Sequence, residues 1–305
     1  MQTFSIQKTL HFVFVTVLVV ALNTISMPSL AETDLSARDI MQRMDDNQRK
    51  TTASAFTRMK LTTCKFGYKD SKIKCVEKPR IKVIESVQIN TGVDNKDTRA
   101  IAIIIEPASE RGIGMLSYSY DNPDRENETW IYLSALRKVM RISVNRRDDE
   151  GEPANLFGTE ISTEDRESGN IDDYTYTLLE RGEYRGRPVA IIESVPKPHQ
   201  VQKSSYGKTR TWVDTERFIA LKIQMFDKND NPIKRVDVGK IEKINGVWLG
   251  RSLTFINSVS QRLTNMKLEA INFDIVIDPS FLTQRTLTDQ AFRERYLNIL
   301  REQAQ

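Results

Sequence analysis

Histidine is nearly absent, with two in 305 residues. His11 sits in an N-terminal apolar run, and His199 lies in the proline-flanked stretch PKPHQ. A Ser-His-Asp or Cys-His relay would have to run through His199, a turn-like position, and a multi-histidine zinc site is excluded. Long apolar runs are missing too. The one at residues 10–22, LHFVFVTVLVVAL, stops at thirteen residues, short of the roughly 20 that a spanning helix needs. No cysteine follows it, so the acceptor for bacterial lipoprotein acylation is lacking. Neither sign of charge dominates: 45 Lys and Arg face 41 Asp and Glu, interspersed along the chain, for a net +4. That balance describes a solvated surface and implies no nucleic-acid partner. The acidic clusters Asp148-Asp-Glu150 and Asp172-Asp173 lack calcium-loop spacing. No catalytic residue, metal or cofactor is expected.

What is present begins with an address. Lys8, the apolar run and the small-x-small end Ser29-Leu-Ala31 predict a cleavable signal peptide over 1–31. An uncleaved N-terminal anchor is the alternative. Cleavage would remove Lys8 and no acid, lower the net charge to +3, and place residues 32–305 in the periplasm. That length suits one large β domain or two smaller ones. Cys64 and Cys75, in TTCKFGYKDSKIKC, are even in number, close, and in an exported context, which favours a disulfide closing a hairpin. A metal or redox pair is the other use, although the spacing is not CxxC.

Periodicity gives the element types. Residues 35–47 place Leu35, Ile40, Met41 and Met44 at helical spacing, with Ser36 and Asp39 as a capping box. From 53 to 278 the period is nearer two. Strand-like runs fall at 98–106, 114–120, 129–133, 138–144, 174–180, 187–195 and 209–214, then at 218–226, 233–244, 247–256 and 264–277. Asn245-Gly246 marks a hairpin. About ten or eleven antiparallel strands are expected, in one large curved sheet or open barrel, closed by an amphipathic helix over 288–301. The charged segment 146–173 breaks the meander, yet encloses Asn155-Leu-Phe-Gly-Thr-Glu-Ile161. Such a loop is either disordered or a lid that docks on the domain.

The stretch 130–142, WIYLSALRKVMRI, resembles the bacterial outer-membrane lipoprotein-sorting protein family, LolA/LolB-like in fold. That family carries W-x-Y-L-P-A-x-x-R/K-V-R-R-I, followed by a loop with F-x-G-S/T-D/E. Here Ser134 replaces the proline and Met140 the first of the paired basic residues, and the loop reads Leu156-Phe-Gly-Thr-Glu160. RTWVD at 210–214, LKIQMFD at 221–227, NGVW at 245–248 and DPSFLT at 278–283 extend the likeness over about 53–287. The region around the two cysteines departs from the pattern.

The resemblance implies a mainly β, α+β fold: a single half-open β-barrel wrapped around helices, over 32–305, with an apolar cavity that takes a lipid or acyl chain. On this reading Trp130, Tyr132, Leu136 and Trp212 line the cavity, and Leu156, Phe157 and Ile161 form its lid. Arg137, Lys138 and Arg141 meet an anionic head group. Ordinary sheet core for the aromatics and a solvated face for the cations are the plainer readings. The implied function is a periplasmic lipid or lipoprotein carrier, with an RND-type inner-membrane transporter or an outer-membrane lipoprotein as partner. A periplasmic sensor of the same fold, regulating a membrane partner, is the alternative. Loss of the lid side chains should speed ligand release.

Overall fold

The computed structural model describes residues 35–49, 53–70, 72–122, 125–142, 155–166 and 170–304. The expected signal segment, 1–31, lies outside the described residues. The first element is α1 (Ala37–Arg49). The Ser36 N–H donates to Asp39 Oδ2 and the Asp39 N–H to Ser36 Oγ, both at 3.2 Å, so two donors that the helix leaves open are satisfied reciprocally.

Fourteen strands follow among the described residues: β1 (Ser54–Lys69), β2 (Lys72–Cys75), β3 (Arg80–Thr91), β4 (Asp97–Glu106), β5 (Gly114–Ser119), β6 (Glu128–Leu133) and β7 (Lys138–Ile142) in the first half. The second half holds β8 (Tyr174–Tyr184), β9 (Arg187–Pro196), β10 (Lys208–Asp214), β11 (Ile219–Phe226), β12 (Pro232–Ile244), β13 (Val247–Asn257) and β14 (Arg262–Phe273). They form one antiparallel sheet in the order β7-β6-β5-β4-β3-β1-β14-β13-β12-β11-β10-β9-β8, with β2 paired to β1 alone. The edges, β7 and β8, are consecutive in the chain and do not pair, so the sheet stays open. Short helices α2 (Thr163–Arg166) and α3 (Pro198–Val201) interrupt the connections, and α4 (Gln284–Thr288) and α5 (Gln290–Gln303) close the chain. No helix of the described residues is long and apolar enough to cross a membrane.

The three strands beyond the expected eleven are β1, β2 and β3, which surround the cysteines. Their alternation is masked for a physical reason. The β1–β14 register slips at Glu269 of β14, while β1 pairs with β3 without interruption. Apolar side chains fall on both faces of β1, Phe56 on one and Met59 and Leu61 on the other, which blurs a simple apolar–polar alternation. The Asn245-Gly246 hairpin is as expected. Both residues have positive φ (47° and 87°), the conformation a two-residue type I′ turn demands, and Ile244 pairs with Val247 across it.

Alternation along β4 separates the two faces. Ile101 and Ile103 pack with Phe56, Val87 and Leu116, and with Phe281, Leu282, Leu287, Leu297 and Leu300 of the C-terminal elements. Ala102 and Ile104 point the other way, into a cluster with Leu61, Ile84, Met115, Met225, Val236, Val238 and Phe255. We call this second face inner and the first outer. On the outer face Glu85 is wholly buried, held by Arg301 of α5 at 2.6 Å and Arg58 at 3.0 Å, which fixes α5 to the sheet by charge as well as by apolar contact.

Cys64 and Cys75 form the expected disulfide, with Cα atoms 5.7 Å apart, tying β2 back onto β1. Cys64 is buried against Ile256 and Leu263. Replacing both cysteines by alanine is expected to cost about 2–3 kcal/mol, from loop-closure entropy returned to the unfolded chain. Urea denaturation of the double variant measures this, and an unchanged midpoint would show the bridge to be neutral.

Candidate functional site

Between the two free edges in sequence, residues 155–166 pack on the sheet. Asn155 and Ser162 bridge, and the Leu156 N–H donates to the Ile161 carbonyl at 2.7 Å, so the segment doubles back on itself. The reversal uses two successive positive φ angles, 50° at Phe157 and 70° at Gly158, and glycine adopts the second without strain. Thr159 braces it, donating its hydroxyl to the Leu156 carbonyl at 2.7 Å. The tight loop directs Leu156 and Ile161 into the inner-face cluster, where both are buried, with Phe157 packed against its margin.

Polar clamps hold this plug on several strands. Lys82 of β3 donates to the Phe157 carbonyl at 2.6 Å and pairs with Glu110. The Glu160 N–H donates to Thr264 Oγ1 at 3.0 Å. Its buried carboxylate accepts from Asn257 Nδ2 and Ser260 Oγ, each at 2.9 Å, and faces Arg262 Nε at 3.4 Å. Asp165 is fully buried and pairs with Lys234 of β12, whose side chain is 7% exposed. It also accepts from the Tyr206 hydroxyl at 2.7 Å. Burial, and then the negative charge of Asp165, push the Tyr206 phenol well above the ordinary tyrosine range, so it remains a proton donor to that carboxylate. Glu164 accepts from the Ser204 hydroxyl and, at 2.9 Å, from the Ser205 N–H.

Of the ten residues expected around a ligand, the structure brings Leu156, Phe157 and Ile161 together on the inner face and Trp130, Tyr132 and Arg141 together elsewhere. Trp130 and Tyr132 lie in the outer cluster under the C-terminal helices, Trp130 edge-to-face with Tyr118 at 5.2 Å. Their shared parity is as read from the sequence, but parity does not say which face is inner. Leu136 and Arg137 occupy the β6–β7 turn, with Leu136 67% exposed. Lys138 is exposed, and Arg141 pairs with Glu128 at 3.0 Å beside the Trp130 ring. Trp212 sits at 4.0 Å beneath Lys222, its cross-strand partner, in a row that alternates with Ile223 of the inner cluster. The plug's floor and its clamps were not anticipated. One signal was available: Lys234 falls on the same alternation as Val236 and Val238, which marks a buried cation that needs a partner.

Leu156 and Ile161 are packed within the inner-face cluster. Surface recesses of about 160 Å³, beside Tyr68, Ile73 and Arg235, and about 250 Å³, beside Glu242 and Arg251, are small against the ~300–1,000 Å³ of ligand pockets. Among the described residues no group of three or more His, Cys, Asp or Glu could hold a metal. His199 pairs with Asp173 at 2.9 Å on the surface.

A protein-family model described only as that of an uncharacterized protein matches residues 96–289. No curated protein matches the chain. Among solved structures, a DUF1329 family protein from Desulfovibrio piger is similar at 21% identity and a TM-score of 0.70, over 82% of this chain and 97% of that one. A putative outer membrane lipoprotein-sorting protein domain from Vibrio parahaemolyticus has 17% identity and a TM-score of 0.69, over 83% and 98%. A LolA superfamily protein from Nitrosomonas europaea has 16% identity and a TM-score of 0.58, over 82% and 98%.

Proposed function

This chain belongs to the family matched over residues 96–289 and has the fold of LolA-superfamily proteins, and from that premise we propose that it is a periplasmic carrier of a lipid or acyl-modified ligand. The observation that supports it is the plug. The segment joining the two free edges of the sheet buries Leu156 and Ile161 in the inner-face cluster, and on this reading an acyl chain takes their place. Ligand enters as the plug leaves.

The magnitudes suit reversible exchange. Each buried methylene contributes about 0.8 kcal/mol, so a chain of about fourteen carbons has a ceiling near 11 kcal/mol before ordering costs. Exposing Leu156, Phe157 and Ile161 costs roughly 1.5–3 kcal/mol each, which offsets much of that gain. A carrier that must both load and unload works in this near-balance. No catalytic group is needed. The export signature at 1–31 supports the periplasm, with an RND-type transporter or an outer-membrane lipoprotein as donor or acceptor.

Mass spectrometry of organic extracts from gently purified protein tests the reading. An acyl lipid in stoichiometric amount is the expected result. A lipid-free protein that also fails to take up a fluorescent acyl probe would overturn it.

A further inference from the structure

The C-terminal helices cover the outer face only over the half of the sheet that holds β1 and β3–β7. Over β10–β12 that face carries aromatic rings with cations laid on them. Lys222 lies 4.0 Å from the Trp212 ring centre, and Arg210 and Lys208 lie 4.9 and 5.4 Å from that of Phe226. The β8–β9 hairpin bends in from one side. Its Tyr184 packs 6.4 Å from Trp212, and its Arg185 stacks on Tyr184 at 5.0 Å while reaching the Val238 carbonyl of β12 at 3.0 Å.

Register places these groups on one face. Lys208 pairs with Phe226, Arg210 with Gln224, Trp212 with Lys222, Gln224 with Arg235 and Lys222 with Asp237, and directly paired residues point the same way. Five cations, Arg185, Lys208, Arg210, Lys222 and Arg235, therefore share a surface with the sheet carboxylates Glu180, Glu193 and Asp237 and with Asp230 of the β11–β12 turn. Lys208 pairs with Asp230 at 2.9 Å and faces Glu193 at 3.8 Å, Arg210 pairs with Glu193 at 2.9 Å, and Asp237 is divided between Arg235 and Arg185. Lys222 has no ion pair within 4.0 Å among the described residues. Burial first, and then repulsion from Arg235, hold its ammonium below the ordinary lysine range, with Asp237 opposing only in part. An external anion would supply what the fold withholds.

We infer that the outer face of β10–β12, with the tip of the β8–β9 hairpin, is the surface by which this protein docks on an anionic phospholipid bilayer. Excess positive charge is drawn to the negative membrane surface, and tryptophan and tyrosine settle at the head-group level because one end is apolar and the other polar. Stacking lays the cations over apolar surface, and Lys222, which alone of them has no ion pair among the described residues, keeps its ammonium open to phosphate. The face is distinct from the plugged interior, so this inference stands or falls apart from the ligand reading.

Co-sedimentation of the full chain with vesicles tests it. The wild type is expected to bind vesicles of phosphatidylcholine mixed with phosphatidylglycerol, not those of phosphatidylcholine alone, and to release at high salt. Lys222→Glu with Arg210→Glu should weaken binding at least roughly tenfold, since each basic group near the surface adds a separate increment. Arg295→Glu, on the exposed side of α5, changes net charge away from this face and should leave binding intact. Circular dichroism melts confirm that each variant is folded, and Lys222→Gln alone, a milder change, covers the case where the double variant is not. Equal binding to both vesicle types, no binding to either, or an equal loss with Arg295→Glu would each overturn the inference.

Discussion

Replacing Leu156, Phe157 and Ile161 together by serine is expected to leave the sheet folded and to let an acyl ligand in at least tenfold faster. Most of the inner cluster comes from strands, with Ile84, Ile104, Val236 and Phe255 from four of them, so the core persists without the plug. Each side chain removed takes away roughly 1.5–3 kcal/mol of burial from the docked segment. A shift of 1.4 kcal/mol already changes an equilibrium about tenfold. From the sequence alone, with the segment read as a lid over bound ligand, the expected effect is faster release. The structure buries Leu156 and Ile161 in the inner cluster with Phe157 at its margin, so on the proposed reading they compete with ligand. Uptake should therefore respond first, and apparent affinity should rise. Stopped-flow fluorescence with a labelled fatty acid gives both rates. A variant that loads and unloads at wild-type rates would show the segment to be a bystander.

Asp165→Ala should act on the same segment by charge. It leaves the buried Lys234 ammonium without its carboxylate and Tyr206 without an acceptor. Removing one partner of a buried pair costs about 3–5 kcal/mol. The sheet need not bear that cost, because the segment lies outside its ladder and can undock, letting water reach Lys234. Hydrogen exchange should show it: the Leu156 and Glu160 amides, bonded to Ile161 and Thr264, speed up on the order of 100-fold or more. Amides between β1 and β14 should keep their protection. Asp165→Leu with Lys234→Met removes both charges and should recover much of the loss. If protection falls equally across the sheet, the pair supports the whole fold and not the plug.

Much of the fold is legible because strand period and turn chemistry are local. Asn245-Gly246, the Ser36–Asp39 cap and the alternation in 221–226 each state their structure within a few residues. The apolar island at 155–161 is legible as something that must pack, because its charged flanks give it no other reason to be apolar. What it packs against is not legible. Leu61, Met115 and Phe255 become neighbours through pairings that no local pattern contains. Trp130 and Trp212 show the same limit. Alternation tells that they lie on one side of a strand, and the placement of α5 decides which side is covered. Fourteen strands emerge where ten or eleven were expected, because β1 carries apolar side chains on both faces and the short β2 is held in a disulfide hairpin, so neither shows a simple alternation.

The pairing of the first strand with the last has a bearing on how the chain is made. Ala55 pairs with Phe273 and Lys65 with Arg262, so β1 keeps one bare edge until nearly all of the polypeptide has emerged. Contacts so distant in sequence form late, and an unpaired central strand is adhesive while it waits. The topology thus acts as a test of completeness. A chain cut short before residue 262 can assemble β3 to β7 on β1, but it exposes the eleven-residue edge Ala55–Lys65 to whatever strand arrives first. A chain that extends through β14 covers that edge with its own strand.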